Sequence, residues 1–179
     1  MKTLFLSIWH NWGWWDQGAS ANGTTEAIEV KKIIDSIMKQ WIPWITLIKV
    51  PEKLTLTQRI NWINNNLAWK SEPLSMEFHL DSWPVTASGA SVRYNDNNEF
   101  THQEWRQFLQ KYTEITWFKS RWVNSDTTNR HGQLWFVSQI KCASLLIELW
   151  FISNPKELEN IRSTAVKWII ESVKNMNAK

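Results

Sequence analysis

Residues 3–30, TLFLSIWHNWGWWDQGASANGTTEAIEV, change character twice. The run TLFLSI, residues 3–8, is short, apolar and followed by loop residues, the pattern of a buried β-strand. From Thr25 onward Ala27, Val30, Ile34, Ile37 and Trp41 recur at steps of three and four, which predicts a helix with one apolar face. Thr24 or Thr25 serves as its N-cap, and Glu26 falls in the first turn. A strand leading through a loop into a helix opens an α/β domain.

The same alternation continues along the chain. Leu56, Ile60, Ile63 and Leu67 form a second apolar stripe, ended by or soon after Asn64–Asn66, and IPWITLIKVPEKL before it holds a short strand. SMEFHLDS alternates, with Met76, Phe78 and Leu80 on one face and Glu77, His79 and Asp81 on the other. ASVRYN reads as a strand, Trp105, Phe108, Leu109 and Tyr112 as a helix, and RWVNSDTTNRHGQLWFV as a loop feeding a strand. SLLIEL, residues 144–149, is an apolar strand interrupted by Glu148, a carboxylate that is costly to bury alone. Asn154 as N-cap, Pro155 at the first helical position and Glu157 at the third then start a C-terminal helix. The expected fold is a single α/β domain over residues 1–179, a mostly parallel twisted sheet with helices on both faces.

Composition bounds the function classes. The chain has 179 residues, 43% hydrophobic and 21% charged, and no apolar run near the roughly 20 residues that cross a bilayer. A net charge of +3 with scattered Lys and Arg argues against a nucleic-acid partner. The start of the chain reads as a strand and not as a signal peptide. Cys142 is the single cysteine, so no internal disulfide forms, and it is expected to be buried and inert.

His10 closes the first strand, Glu26 opens the first helix, and His79 lies near the end of a later strand. Parallel strands bring their C-terminal ends to one rim, where open α/β sheets place ligands. Two imidazoles and a carboxylate, with a fourth position left to water, form the ligand set of a catalytic zinc site. Glu148, at the end of another strand, could then be the general base beside that water. The residues alone also allow a blander account: surface or core histidines, a carboxylate favoured by a helix N-terminus, and a buried ion pair at Glu148. His102 and His131 are left as ordinary histidines.

Three stretches, SIWHNWGWWDQGASANGTTEAIEV, SMEFHLDS and LLIELWFISNPKELENI, together resemble the zinc-dependent N-acetylmuramoyl-L-alanine amidases of the amidase_3 family. That family typically reads as a strand, a Gly-His-Gly-Gly type loop, Asp-Pro-Gly-Ala, a Glu at a helix start, a Ser-x-His-x-Asn strand and a Glu-x-Gly-Phe-x-Ser-Asn strand end. The resemblance covers nearly the whole chain in order. It implies that His10, Glu26 and His79 bind Zn2+, and that Glu148 is the catalytic carboxylate. It further implies hydrolysis of the amide between N-acetylmuramic acid and L-alanine, with Glu148 taking a proton from the attacking water and returning it to the leaving amine. Two other functions stay open: a zinc peptidase of the stem peptide, and a catalytically inactive glycan-binding domain using exposed tryptophans.

The implied substrate is peptidoglycan, cut by a monomer with no separate cell-wall-binding module. Work at the cell wall without a signal peptide is consistent with a phage lysin or with another export route.

Departures from the family pattern are mostly tryptophans. Asp81 stands for the usual Asn and Gln17 for Pro, whereas Trp9, Trp122, Trp150 and Trp168 all stand where glycine is usual. Trp12 and Trp14 lie in a loop that is normally glycine-rich. The chain has 5 glycines and 15 tryptophans, against the about 7% glycine of an average protein. A single cause accounts for both counts: UGA codons decoded as glycine in the source and written here as tryptophan. A truly Trp-rich protein with aromatic platforms for sugars and a mutation series are the other two readings. If Trp9 and Trp150 are real, bulky indoles beside a ligand and the base are expected to impair zinc binding and activity.

Overall fold

The computed structural model describes residues 1–10, 16–82, 84–95, 102–125 and 134–175. Trp12, Trp14 and His131 lie outside the described residues. The strands are β1 (Lys2–Ile8), β2 (Ser20–Ala21), β3 (Thr24–Thr25), β4 (Ile45–Lys49), β5 (Pro73–Asp81), β6 (Ser91–Tyr94), β7 (Val123–Ser125) and β8 (Ala143–Phe151). The helices are α1 (Glu26–Met38), α2 (Leu56–Asn65), α3 (His102–Thr116), α4 (Trp135–Gln139) and α5 (Pro155–Asn175).

Six strands form one sheet in the order β4-β1-β5-β8-β6-β7. All neighbours run parallel except β6 and β8. The alternation in β1, β5 and β8 splits their side chains between two cores. Leu4, Leu6, Met76, Phe78, Leu145 and Ile147 meet α1, α3 and α5 in the larger one. Phe5 and Leu146 meet Ile60 and Ile63 of α2 and Phe136 and Val137 of α4 in the smaller one. The smaller core covers only part of its face. Farther along the same strands that side of the sheet carries Glu77, His79 and Glu148, so it turns from apolar to polar toward the strand ends.

Three sequence expectations change. α1 ends at Met38, so Trp41 lies outside its apolar stripe and is 86% exposed. The segment WFV is helix and not strand, because α4 turns Phe136 and Val137 together into the smaller core. Cys142 is half-buried. The loop between β1 and α1 also contains a hairpin, β2–β3, whose turn residues Asn22 and Gly23 have φ of 51° and 73°. Two adjacent positive φ values are what an Asn-Gly two-residue turn supplies.

The tryptophans fall into distinct environments. Trp44, Trp69 and Trp117 have φ of 65°, 64° and 66° and project into solvent. Trp44 follows Pro43 in a turn closed by Ile45 N–H on Ile42 O at 3.2 Å, and Trp69 occupies the same place in the turn closed by Lys70 N–H on Leu67 O at 3.0 Å. Trp117 follows the last residue of α3 and donates to Thr113 O at 3.0 Å, the αL helix stop that glycine normally makes. Left-handed backbone in a bulky residue costs on the order of 1–3 kcal/mol. Trp150 and Trp168 are fully buried in the larger core. Trp168 donates to Phe108 O at 3.0 Å, whereas Trp150 Nε1 has no partner among the described residues.

Candidate functional site

The ends of β1 and β5 and the start of α1 converge on three side chains. Thr25 caps α1, its hydroxyl accepting from Ile28 N–H at 3.4 Å, which sets Glu26 in the first turn. Glu26 is buried but fully engaged: Oε1 accepts from Leu80 N–H at 3.0 Å and Oε2 from Ala19 N–H at 3.1 Å. The same two oxygens face the imidazoles, Oε1 lying 3.3 Å from His79 Nδ1 and Oε2 3.2 Å from His10 Nε2. One ligand atom from each of His10, Glu26 and His79 lies within 4.8 Å of the others, the spacing of donors around a single metal ion.

The distal nitrogens are held as well. His10 Nδ1 pairs with Asp16, and His79 Nε2 lies 3.4 Å from Glu77 Oε2. Each imidazole therefore turns one nitrogen to the cluster and the other to a carboxylate, the support that orients metal-binding histidines. Gly18 closes the site from the loop side. It has φ of +67°, and a Cβ there would overlap the His10 ring and sit 2.5 Å from Glu26 Oε2. The donor types, their spacing and this close approach fit a divalent metal that takes nitrogen and oxygen ligands.

Charges in the cluster are strongly coupled. Burial pushes the Glu26 carboxyl up, but hydrogen bonds with His10 and His79 outweigh it and bring it down to about 2. Burial lowers His79, yet Glu26, Glu77 and the charge of Glu148 raise it to about 10 in the metal-free chain. His10 is likewise raised, with Glu26 and Asp16 overcoming desolvation. Glu148 stands opposite His79 in the β5–β8 register. Burial drives it up to about 7, opposed by His79 and reinforced by Asp81 and Glu26. All four residues named from the sequence thus meet at the C-terminal rim of the sheet.

Two parts of this environment were not anticipated. Arg59, from α2, donates to Glu77 Oε1 at 3.0 Å and to Trp9 O at 2.8 Å. Glu77 was visible on the polar face of SMEFHLDS, but nothing in the stripe of α2 marked Arg59 as inward. Trp150, expected beside the base, lies in the larger core instead. The register shifts between His79 and Asp81, which pair with Glu148 and Phe151, so an extra residue bulges β8 and turns Leu149 and Trp150 to one side. Among the described residues Trp9 is the indole that adjoins the site, its ring centroid 5.4 Å from that of His79.

A three-donor cluster and a carboxylate thus lie at the C-terminal ends of parallel strands, where open α/β sheets place ligands. The chain belongs to the Amidase_3 family, the N-acetylmuramoyl-L-alanine amidases, whose profile matches residues 8–176. It is a hydrolase of the amide-cleaving, peptidoglycan-directed kind that the family comprises. Solved structures share the fold. The catalytic domain of CwlV, an N-acetylmuramoyl-L-alanine amidase from Bacillus (Paenibacillus) polymyxa var. colistinus, is 18% identical over 100% of both chains with a TM-score of 0.77. An N-acetylmuramoyl-L-alanine amidase from Clostridium difficile 630 is 15% identical over 98% of both chains, TM-score 0.73. The catalytic domain of the CD27L endolysin, targeting Clostridia difficile, is 19% identical over 100% of both chains, TM-score 0.72. No curated protein matches the chain in sequence. Among the described residues no helix is long and apolar enough to cross a membrane.

Proposed function

We propose that the chain is a zinc-dependent amidase that cuts between N-acetylmuramic acid and L-alanine, with His10, Glu26 and His79 holding the metal and Glu148 moving the proton. The observation that carries this is the three-donor cluster with Glu148 as the register partner of His79. When bound, zinc supplies Lewis acidity toward the amide carbonyl and acidifies water. Glu148 accepts a proton from the attacking water as the C–O bond forms, and delivers it to the alanine nitrogen as the C–N bond breaks. A carboxyl drawn to about 7 is matched to both halves of that exchange. The enzyme acts as a monomeric catalytic domain at the cell wall.

Zymography on purified peptidoglycan with and without a chelator tests the reading, together with mass analysis of the released muropeptides. Cleavage within the stem peptide instead of at the lactyl amide would make it a peptidase. Absence of stoichiometric zinc together with absence of lysis by the parent chain would leave a catalytically inactive glycan-binding module.

We infer also that the active protein carries glycine at many of its tryptophan positions, through UGA decoded as glycine. Support comes from Trp44, Trp69 and Trp117, which occupy three left-handed turn or helix-stop positions. The buried, unpartnered indole of Trp150 agrees with it. UGG codons at Trp9, Trp44, Trp69, Trp117 and Trp150 would overturn it, as would peptide mass spectra of the native protein with tryptophan there. Trp9 is the position that bears on activity, because its ring packs on His79; Trp9→Gly is expected to raise zinc affinity and muropeptide hydrolysis.

A further inference from the structure

The cluster is served from beneath by a buried ion pair that neither ligation nor proton transfer uses. Glu77 is fully buried and the Arg59 side chain is 3% exposed, and their 3.0 Å contact is the only ion pair among the described residues with both partners so enclosed. Two buried charges cost more to desolvate than they return unless their geometry is well satisfied, and apolar replacements often serve stability as well or better. Stability is thus a weak reason for the pair.

Its contacts supply a better one. Arg59 spans both histidine-bearing strands: Nη1 meets Glu77, two residues before His79, and Nη2 meets the carbonyl of Trp9, the residue before His10. Nη2 also lies 3.3 Å from Leu54 O, so the guanidinium has backbone anchors on two sides. The second Glu77 oxygen, Oε2, is the one that faces His79 Nε2 at 3.4 Å. His79 is then left with Nδ1 as the nitrogen aimed at Glu26 and the cluster.

We propose that Arg59 and Glu77 are positioning residues for the metal site. Glu77 fixes the His79 ring with Nδ1 toward the ion, and Arg59 locks Glu77 to the peptide that carries His10, so one guanidinium sets the separation of the two imidazoles. This rests on the reading of His10 and His79 as ligands. The Trp9 contact is made by its backbone carbonyl, so the arrangement holds whether residue 9 is tryptophan or glycine.

The test compares the parent with Glu77→Gln and with the double variant Arg59→Met/Glu77→Gln, each in the chain as it stands and in a Trp9→Gly background. Zinc affinity is measured by competition with a chromophoric chelator, the Co2+-loaded visible spectrum reports ligand geometry, and thermal melting of the metal-free protein reports folding. The double variant removes both charges, so it is expected to melt near the parent while binding zinc about 10–100-fold more weakly and with an altered Co2+ spectrum. A double variant that folds and matches the parent in affinity and spectrum overturns the pair's role. Loss of folding in the double variant also overturns it, because the pair would then be structural. A parent that takes up neither zinc nor cobalt in both backgrounds overturns the ligand reading instead, an outcome separate from the other two.

Discussion

His79 and Glu148 are direct register partners on the parallel strands β5 and β8. Neighbouring strands lie about 4.8 Å apart, so the proposed base is held against a proposed ligand by the sheet itself, with no loop between them. Glu148→Gln is therefore expected to leave folding and zinc stoichiometry intact while lowering turnover by about 10²–10⁴-fold. Muropeptide hydrolysis and metal analysis on the same preparation check this; a variant retaining a tenth of the activity would exclude Glu148 as the proton carrier.

Glu148 should also leave a mark on stability in chelator-treated protein. Burial raises its carboxyl from 4.5 to about 7, so the folded chain holds this proton more tightly than the unfolded chain. Its cost to stability is absent below about pH 4.5, grows as pH rises, and is complete above about 7. Glu148→Gln is expected to raise Tm at pH 8, by at most about 3 kcal/mol of stability, and to leave it unchanged at pH 4. Melting curves at the two pH values decide; an equal shift at both would contradict the assignment.

Trp44→Gly, Trp69→Gly and Trp117→Gly should each stabilise the fold, since glycine adopts positive φ freely. The gain expected is about 1 kcal/mol per site, or roughly 2–4 °C in Tm. Trp41→Gly is the control, as Trp41 is exposed without a positive φ. A gain at Trp41 equal to the other three would mean that removing exposed indoles, and not relieving the backbone, is responsible.

Gly18→Ala should cost metal binding before it costs the fold. Its Cβ would enter the space of the His10 ring and Glu26 Oε2 at a backbone φ of +67°. Zinc content after dialysis is expected to fall well below one per chain, with far-ultraviolet circular dichroism unchanged. Full zinc occupancy would show that the loop yields more readily than this geometry implies.

The four candidate site residues were legible because each lies in or beside an element whose periodicity was clear: His10 after TLFLSI, Glu26 behind a threonine cap, His79 and Glu148 in alternating or apolar strands. What could not be read was support from across the sheet. Arg59 lies on a helix whose stripe gave no sign that an arginine faced inward, and only the approach of α2 to β5 reveals its partner. WFV has the composition of a strand, and its helical state is imposed by tertiary packing against α2. The bulge in β8 overturned the simple alternation that had put Trp150 beside Glu148. Glu157 read as a helix-start residue and indeed follows the Asn154 cap, but its carboxylate turns inward to Gly89 N–H at 2.6 Å, Tyr112 OH at 2.8 Å and Phe151 N–H at 3.1 Å.

The strand order has a consequence for how the molecule comes into being. β8, the last strand among the described residues, is inserted between β5 and β6. Until residues 143–151 emerge from the ribosome, both of those strands present unpaired backbone, and such bare edges invite association with other chains. On the proposed role of Glu148, hydrolytic competence arrives only with the closing of the sheet, so a partly synthesised chain carries an aggregation hazard before it carries activity.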